Sequence, residues 1–160
     1  MDPTFLDRIL KYSEQSGLTI LLDQRIGHGS DGQIWRSSQE SAIKVFHRSP
    51  NYEIEKACYQ RLQTRAISII NGFHVPCLYA FDDELCIIEM SIVSPPFLLD
   101  FGKCYLDHPP DYSEEVMEED EEYRRELFED RWPEVQKLLW KLESIGIYYM
   151  DARPANIAFD

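Results

Sequence analysis

The sequence predicts an α+β fold, with a five-stranded antiparallel sheet in its first half and helices in its second. Three observations carry this. Five short runs rich in β-branched, aromatic and other apolar residues lie before residue 91, separated by polar or glycine turns. One amphipathic helix, over residues 52–63, interrupts them. After Pro95-Pro96 helical spacing takes over, strongest where Val135, Leu138, Leu139, Leu142 and Ile145 share one face.

Element by element, Phe5, Leu6, Ile9 and Leu10 predict a short helix over residues 3–15, closed by Gly17. Residues 18–26 read as a strand. The turn Gly27-His28-Gly29-Ser30-Asp31-Gly32 follows, then strands over 33–36 and 41–47 that meet across a polar bend. Pro50 and Asn51 open the next helix, with Ile54, Cys58, Tyr59 and Leu62 on one stripe. Residues 76–81 and 85–90 are two more strands around the turn Asp82-Asp83-Glu84. Residues 97–105 read as weakly helical and 107–113 as a loop. Residues 114–130 are an acidic helix or a solvated tract. Pro133 suits the first turn of the strong helix, Gly146 ends it, and 147–160 is irregular, then extended. The expected organisation is an N-terminal helix (1–16), a sheet-rich unit (17–92) and a helical unit (93–160).

Composition narrows the function classes. The 160 residues are 44% hydrophobic and 28% charged, ordinary for a globular chain with one sizeable core. No apolar run approaches the ~18 residues of a membrane span. The start shows no cationic stretch leading into an apolar one, so a cytoplasmic protein is expected. The net charge of −13 argues against nucleic acid and anionic membranes as partners. Residues 111–131 hold eleven acids and three bases, so most of the acidity belongs to one segment. That segment is a solvated face or, on a sharper reading, a docking surface for a basic protein. Trp132, Trp140, Tyr148 and Tyr149 lie beyond it; left uncovered, they would form an apolar patch suited to homodimerisation. Cys58, Cys77, Cys86 and Cys104 make no metal-binding spacing and read as reduced thiols.

Three motifs carry chemistry. Gly27-x-Gly29-x-x-Gly32 between two strands would let backbone N–H groups lie over phosphates, or is a flexible hairpin. Lys44 sits in the apolar strand Ala42-Ile43-Lys44-Val45-Phe46, where an ammonium needs a partner, and Glu55 on the next helix shares the core-facing stripe. Asp151 and Asn156, five apart on an irregular loop, can converge as a proton acceptor and a metal ligand, or mark a plain turn.

The order and spacing of these motifs resemble the eukaryotic-type protein kinase fold over nearly the whole chain. The resemblance implies a five-stranded antiparallel N-lobe sheet with helix C and a partial, mainly helical C-lobe. It implies ATP and Mg2+ as cofactors and a protein substrate. Gly27, Gly29 and Gly32 match the phosphate-covering loop, with Ile34 at its valine. Lys44 matches the strand-three lysine and Glu55 the helix-C glutamate. Ile88-Glu89-Met90 resembles the gatekeeper and hinge, with Ser91 next to it. Asp151 matches the catalytic base, Arg153-Pro154 its Lys-Pro, and Asn156 the metal-binding asparagine. Ile26, Ile34, Ala42, Ile88 and Ala158 would then surround an adenine. The departures are Tyr149-Met150 in place of His-Arg, and an Asp-Phe-Gly, activation loop and Ala-Pro-Glu expected to be missing, because the sequence ends four residues after Asn156. Asp160, the sole acid after Asn156, is expected to supply the second metal ligand. Two further readings stay open: a pseudokinase acting as a nucleotide-binding or interaction module, and a small-molecule kinase of the aminoglycoside-phosphotransferase type, which shares the Asp-x-x-x-x-Asn core.

Overall fold

A computed structural model describes residues 3–160. Helix α1 (Pro3–Ser16) leads into a five-stranded antiparallel sheet built from β1 (Ile20–His28), β2 (Gly32–Ser37) and β3 (Ser41–Phe46). After α2 (Ser49–Thr64) come the two-residue strands β4 (Ile69–Ile70) and β5 (Phe73–His74). Then β6 (Leu78–Asp82) and β7 (Ile87–Ser91) complete the sheet in the order β1-β2-β3-β7-β6.

Strand β3 shows why the sheet lies in the middle of its layers. All six of its residues are buried, as expected for a strand covered on both faces. Ile43 and Val45 pack with Phe5, Ile9 and Tyr12 of α1, whereas Ala42 and Phe46 join the larger core with α2. Helix α1 is therefore part of the sheet's packing. Its Tyr12 hydroxyl donates to Glu89 at 3.3 Å, and Ser41 Oγ donates to the same carboxylate at 2.6 Å. Gly32 is required by packing: a Cβ there would sit 2.1 Å from the Val45 carbonyl oxygen across the β2–β3 pair.

The second half differs from the expected weak helix over 97–105. The chain forms β8 (Phe97–Leu98), a turn, and β9 (Tyr105–Leu106). Then come α3 (Glu114–Phe128), a single 3-10 turn, α4 (Trp132–Glu143), β10 (Ile147–Tyr148) and β11 (Ile157–Ala158). Strand β8 lies between β11 and β5, and β9 pairs with β10. A two-residue strand carries no readable periodicity; these exist because their neighbours hold them in register.

The acidic segment is an ordered helix. Ser113 caps it by accepting from the Val116 N–H at 3.2 Å, and Glu114 and Glu115 sit in the first turn, where negative charge favours a helix. Its C-terminal half anchors it. Phe128 is buried in the main core, and Arg124 donates to the carbonyls of Tyr149 (3.5 Å) and Met150 (3.3 Å) while pairing with Asp120 at 3.1 Å. Phe128→Ala is expected to destabilise the protein by about 3–5 kcal/mol, a cavity effect. The exposed pair Glu118→Gln/Glu122→Gln should stay within about 0.5 kcal/mol of the parent in urea unfolding. Trp132 is buried in the main core, whereas Trp140 is 58% exposed.

Among the described residues no helix is long and apolar enough to cross a membrane. None of the four cysteines is in a disulfide, and Cys58 and Cys104 are buried.

Candidate active site

A cavity of about 400 Å³ opens between the five-stranded sheet and the β8–β11 pair. Its apolar wall includes Ile26, Ile34, Ala42, Met90, Ile92, Val93 and Phe97. Its polar end holds Asp31, Lys44, Asp100, Arg153 and Asn156, with Gly27, Gly29 and Gly32 above. A Cβ at Gly29 would meet nothing within 4 Å, so this glycine leaves the cavity mouth open. Ser91 is on the wall, whereas Ile88, Glu89, Glu55, Ala158, Asp151 and Asp160 are not. Glu89 points to the opposite face of β7, toward α1, as its bonds to Tyr12 and Ser41 require. Ile88 is fully buried beside Lys44 in the β3–β7 register.

Lys44 is the electrostatic centre. It is 4% exposed, and its Nζ lies 3.0 Å from Glu55 and 3.2 Å from Asp100. Burial works against its charge, but Glu55 and then Asp100 more than offset this and hold the ammonium well above its ordinary pKa. Glu55 is completely buried. Its carboxyl is pushed up to about 7, above all by burial; Lys44 works against the rise and the charge of Asp100 adds to it. The Phe101 N–H also donates to Glu55, at 2.7 Å.

Asp100 corrects the sequence expectation. Asp-Phe-Gly is present, as Asp100-Phe101-Gly102, but upstream of the loop 151–156 instead of downstream. The register of β8 and β11 explains how it reaches the site. Leu98 pairs with Ile157, Phe97 pairs with Ala158, and the Leu99 N–H donates to the Asn156 carbonyl at 2.9 Å. The residue after Leu99 therefore stands beside Asn156. Two paired antiparallel strands do not dictate which comes first along the chain. Asp100 adopts a left-handed backbone (φ 69°), which turns the chain sharply into Phe101. Burial would raise its pKa, but Lys44 outweighs that and holds it below the ordinary carboxylate value.

Phe101 completes an aromatic column. Its ring lies edge-on to Tyr59 of α2 (5.3 Å between centroids) and to Tyr149 before the loop 151–156 (5.5 Å). The Tyr149 hydroxyl donates to the Leu99 carbonyl. Tyr149, a departure from the expected histidine, thus ties the tripeptide to the loop 151–156. Helix α2 is fastened to the same region at two more points. Asn51 Nδ2 donates to the Gly102 carbonyl at 2.9 Å, and Arg61 makes a two-pronged bond to Asp107 at 2.8 and 2.9 Å.

The loop between β10 and β11 presents Asp151. The Asn156 amide donates both to the Asp151 carbonyl and to its carboxylate, each at 2.9 Å. That use of Nδ2 leaves the Asn156 side-chain oxygen as an acceptor. Arg153 Nε lies 3.5 Å from Asp151, and Lys103 Nζ lies 3.9 Å away. Lys103, which the sequence reading passed over, also donates to Ser30 Oγ at 2.8 Å and so bridges the glycine turn and the loop that carries Asp151. Asp160 is exposed, with no hydrogen bond or ion pair among the described residues.

The sheet order, the helix packed beneath it, the buried Lys44–Glu55 pair and the two loops that meet at Asp100 and Asn156 make this a protein-kinase-like fold with a partial second lobe. No family model and no curated protein matches the chain. Among solved structures it is similar to aminoglycoside phosphotransferase APH(2'')-Ib in an ADP-bound crystal structure, with 16% identity and a TM-score of 0.42 over 90% of this chain and 40% of that one. It is also similar to APH(2'')-IIa in a gentamicin complex (14%, TM-score 0.43, 90% and 40%). A third match is APH(2'')-IIa in a ternary complex with streptomycin and ATP (13%, TM-score 0.41, 59% and 29%). The chain spans less than half the length of these proteins.

Proposed function

We propose that the chain is a nucleotide-dependent phosphotransferase. One observation carries this reading: Lys44, nearly buried, is clamped between Glu55 and Asp100 at the polar end of a cavity that Asn156 and Arg153 also line. A buried cation held by two carboxylates is a fixed point charge, preorganised for the phosphates of a nucleotide whose purine fits the apolar wall. The glycine turn supplies backbone N–H groups above, and Arg153 adds a second cation for the transferred group. Asp151, held in place by Asn156, accepts the proton of an acceptor hydroxyl.

The oxygen donors fit a divalent cation. Asp100 offers a carboxylate and Asn156 a carbonyl, the hard ligands that Mg2+ prefers. When bound, the ion supplies positive charge for the phosphoryl oxygens. Asp100 and Asn156 would hold the ion, while Asp100 keeps its contact with Lys44 at 3.2 Å.

A second reading, for the acceptor, has its own observation. A hollow lined by Lys103, Tyr105, Tyr112, Asp120 and Met150 lies on the Asp151 side of the cleft. Two phenol rings, the Asp120 carboxylate and the Lys103 ammonium suit a small polyhydroxylated acceptor. Thermal shift with ATP, with and without Mg2+, tests nucleotide binding: a rise in Tm that grows with Mg2+ is expected, and no rise with either overturns the reading. Labelled γ-phosphate offered to generic proteins and to a panel of amino sugars then separates the two acceptors. No transfer to any acceptor, with nucleotide still bound, leaves the pseudokinase function.

A further inference from the structure

We propose that Asp31, the carboxylate of the glycine turn, is itself a divalent-cation ligand acting with Asp100 and Asn156, so that the metal fastens the turn over the cleft; this rests on the phosphotransferase reading above. The sequence position suggests a loop tip open to solvent. The structure puts the side chain inside. Asp31 is 5% exposed, lines the cavity with Asp100 and Asn156, and its Oδ2 is buried with no hydrogen-bond donor.

Asp31 shares the polar end of the cavity with a second acceptor, the carboxyl group of Asp100. Ionised carboxylates only accept, so neither can satisfy the other without a proton or a cation between them. The nearest ammonium does not serve: Lys103 Nζ is 3.8 Å from Oδ1, beyond hydrogen-bond distance, and donates to Ser30 instead. Two features hold the carboxylate where it is. The His47 N–H donates to the Asp31 carbonyl at 2.8 Å, which pins the backbone of the turn. Gly102 supplies the space, because a Cβ there would lie 2.7 Å from Oδ2. Two carboxylates and one amide carbonyl form an all-oxygen set, the chemistry of Mg2+, Mn2+ or Ca2+ and not of a thiolate-seeking ion. A phosphate-covering turn that carries its own metal ligand closes when the metal binds, and metal and nucleotide then favour the same closed form.

The test uses Mn2+ alone, titrated into the nucleotide-free full chain and followed by electron paramagnetic resonance of the free ion. Wild type is expected to bind Mn2+, and Asp31→Asn to bind it about tenfold or more weakly, because a charged ligand becomes neutral. Gly102→Ala should weaken it as well, since its Cβ displaces the Asp31 carboxylate, and it carries the test if Asp31→Asn does not fold. Hydrogen exchange supplies the readout that a structural role would not move: Mn2+ should slow exchange of the amides at 28–32 in wild type and not in Asp31→Asn. Wild-type affinity in both variants, or no Mn2+-dependent protection of the turn, overturns the proposal. Mg2+-dependent stabilisation by ATP distinguishes the failures. If wild type and Asp31→Asn keep it equally, the phosphotransferase reading stands and the loop ligand falls. If wild type lacks it, the underlying reading falls too.

Discussion

Lys44→Met is expected to destabilise the protein by about 3–5 kcal/mol and to abolish stabilisation by nucleotide. The first effect follows from what the lysine leaves behind. Its ammonium is within 3.0 Å of Glu55 and 3.2 Å of Asp100, and Glu55 has no exposure to water. Removing one partner of a buried pair strands the other charge, which is where most of the loss arises. The double variant Lys44→Met/Glu55→Gln separates the roles. It leaves no unpaired charge at Glu55, and a glutamine carbonyl can still accept from the Phe101 N–H, so much of the stability should return in a urea titration. Nucleotide stabilisation should not return, because ligand binding to the folded form alone raises stability by mass action and the phosphate charge partner is gone. A nucleotide-induced Tm shift in the double variant equal to wild type would remove Lys44 from the phosphate site.

The parts of the site legible in the sequence were those set by local chemistry. A lysine in an apolar strand and a glutamate on the core stripe of the next helix announce a buried pair, because neither tolerates burial alone. The long strands and α4 announce themselves by periodicity, whereas 114–130 read equally as an acidic helix or a solvated tract until the Ser113 cap and the buried Phe128 decide for α3. Glu89 shows where local reading fails: in the sequence it adjoins Met90 on the cavity wall, but strand alternation sends it to the other face, to a helix 77 residues away.

Asp100 was hidden by chain order. The letters Asp-Phe-Gly stand in the open between Leu99 and Lys103, but the resemblance places them after the asparagine, and residues 97–105 read as weakly helical. The β8–β11 register, a long-range property, is what puts Asp100 against Asn156. Asp31 was hidden for a related reason. The sequence reading passed over it within the glycine turn, and the space left by Gly102 lets its carboxylate turn inward.

Asp100→Asn is expected to lower metal-dependent phosphoryl transfer at least about 100-fold, the scale for removing one preorganised electrostatic contact, while Asp160→Asn stays within about twofold of wild type. Asp100 faces Lys44 at 3.2 Å and stands beside Asn156 through the Leu99–Asn156 backbone bond. Asp160 is exposed and bonded to nothing described. The asparagine keeps the size of the side chain and one oxygen for Lys44, so the fold should survive, and urea unfolding checks this. What disappears is the carboxylate charge that a hard divalent ion needs. The same pair of variants gives a readout without turnover: in calorimetry, Mg2+ should tighten ADP binding to wild type and to Asp160→Asn, and should leave Asp100→Asn unchanged. Equal effects of Mg2+ in wild type and Asp100→Asn, with loss in Asp160→Asn, would return the metal to the end of the chain and make the upstream Asp-Phe-Gly a packing element that holds Phe101 between Tyr59 and Tyr149.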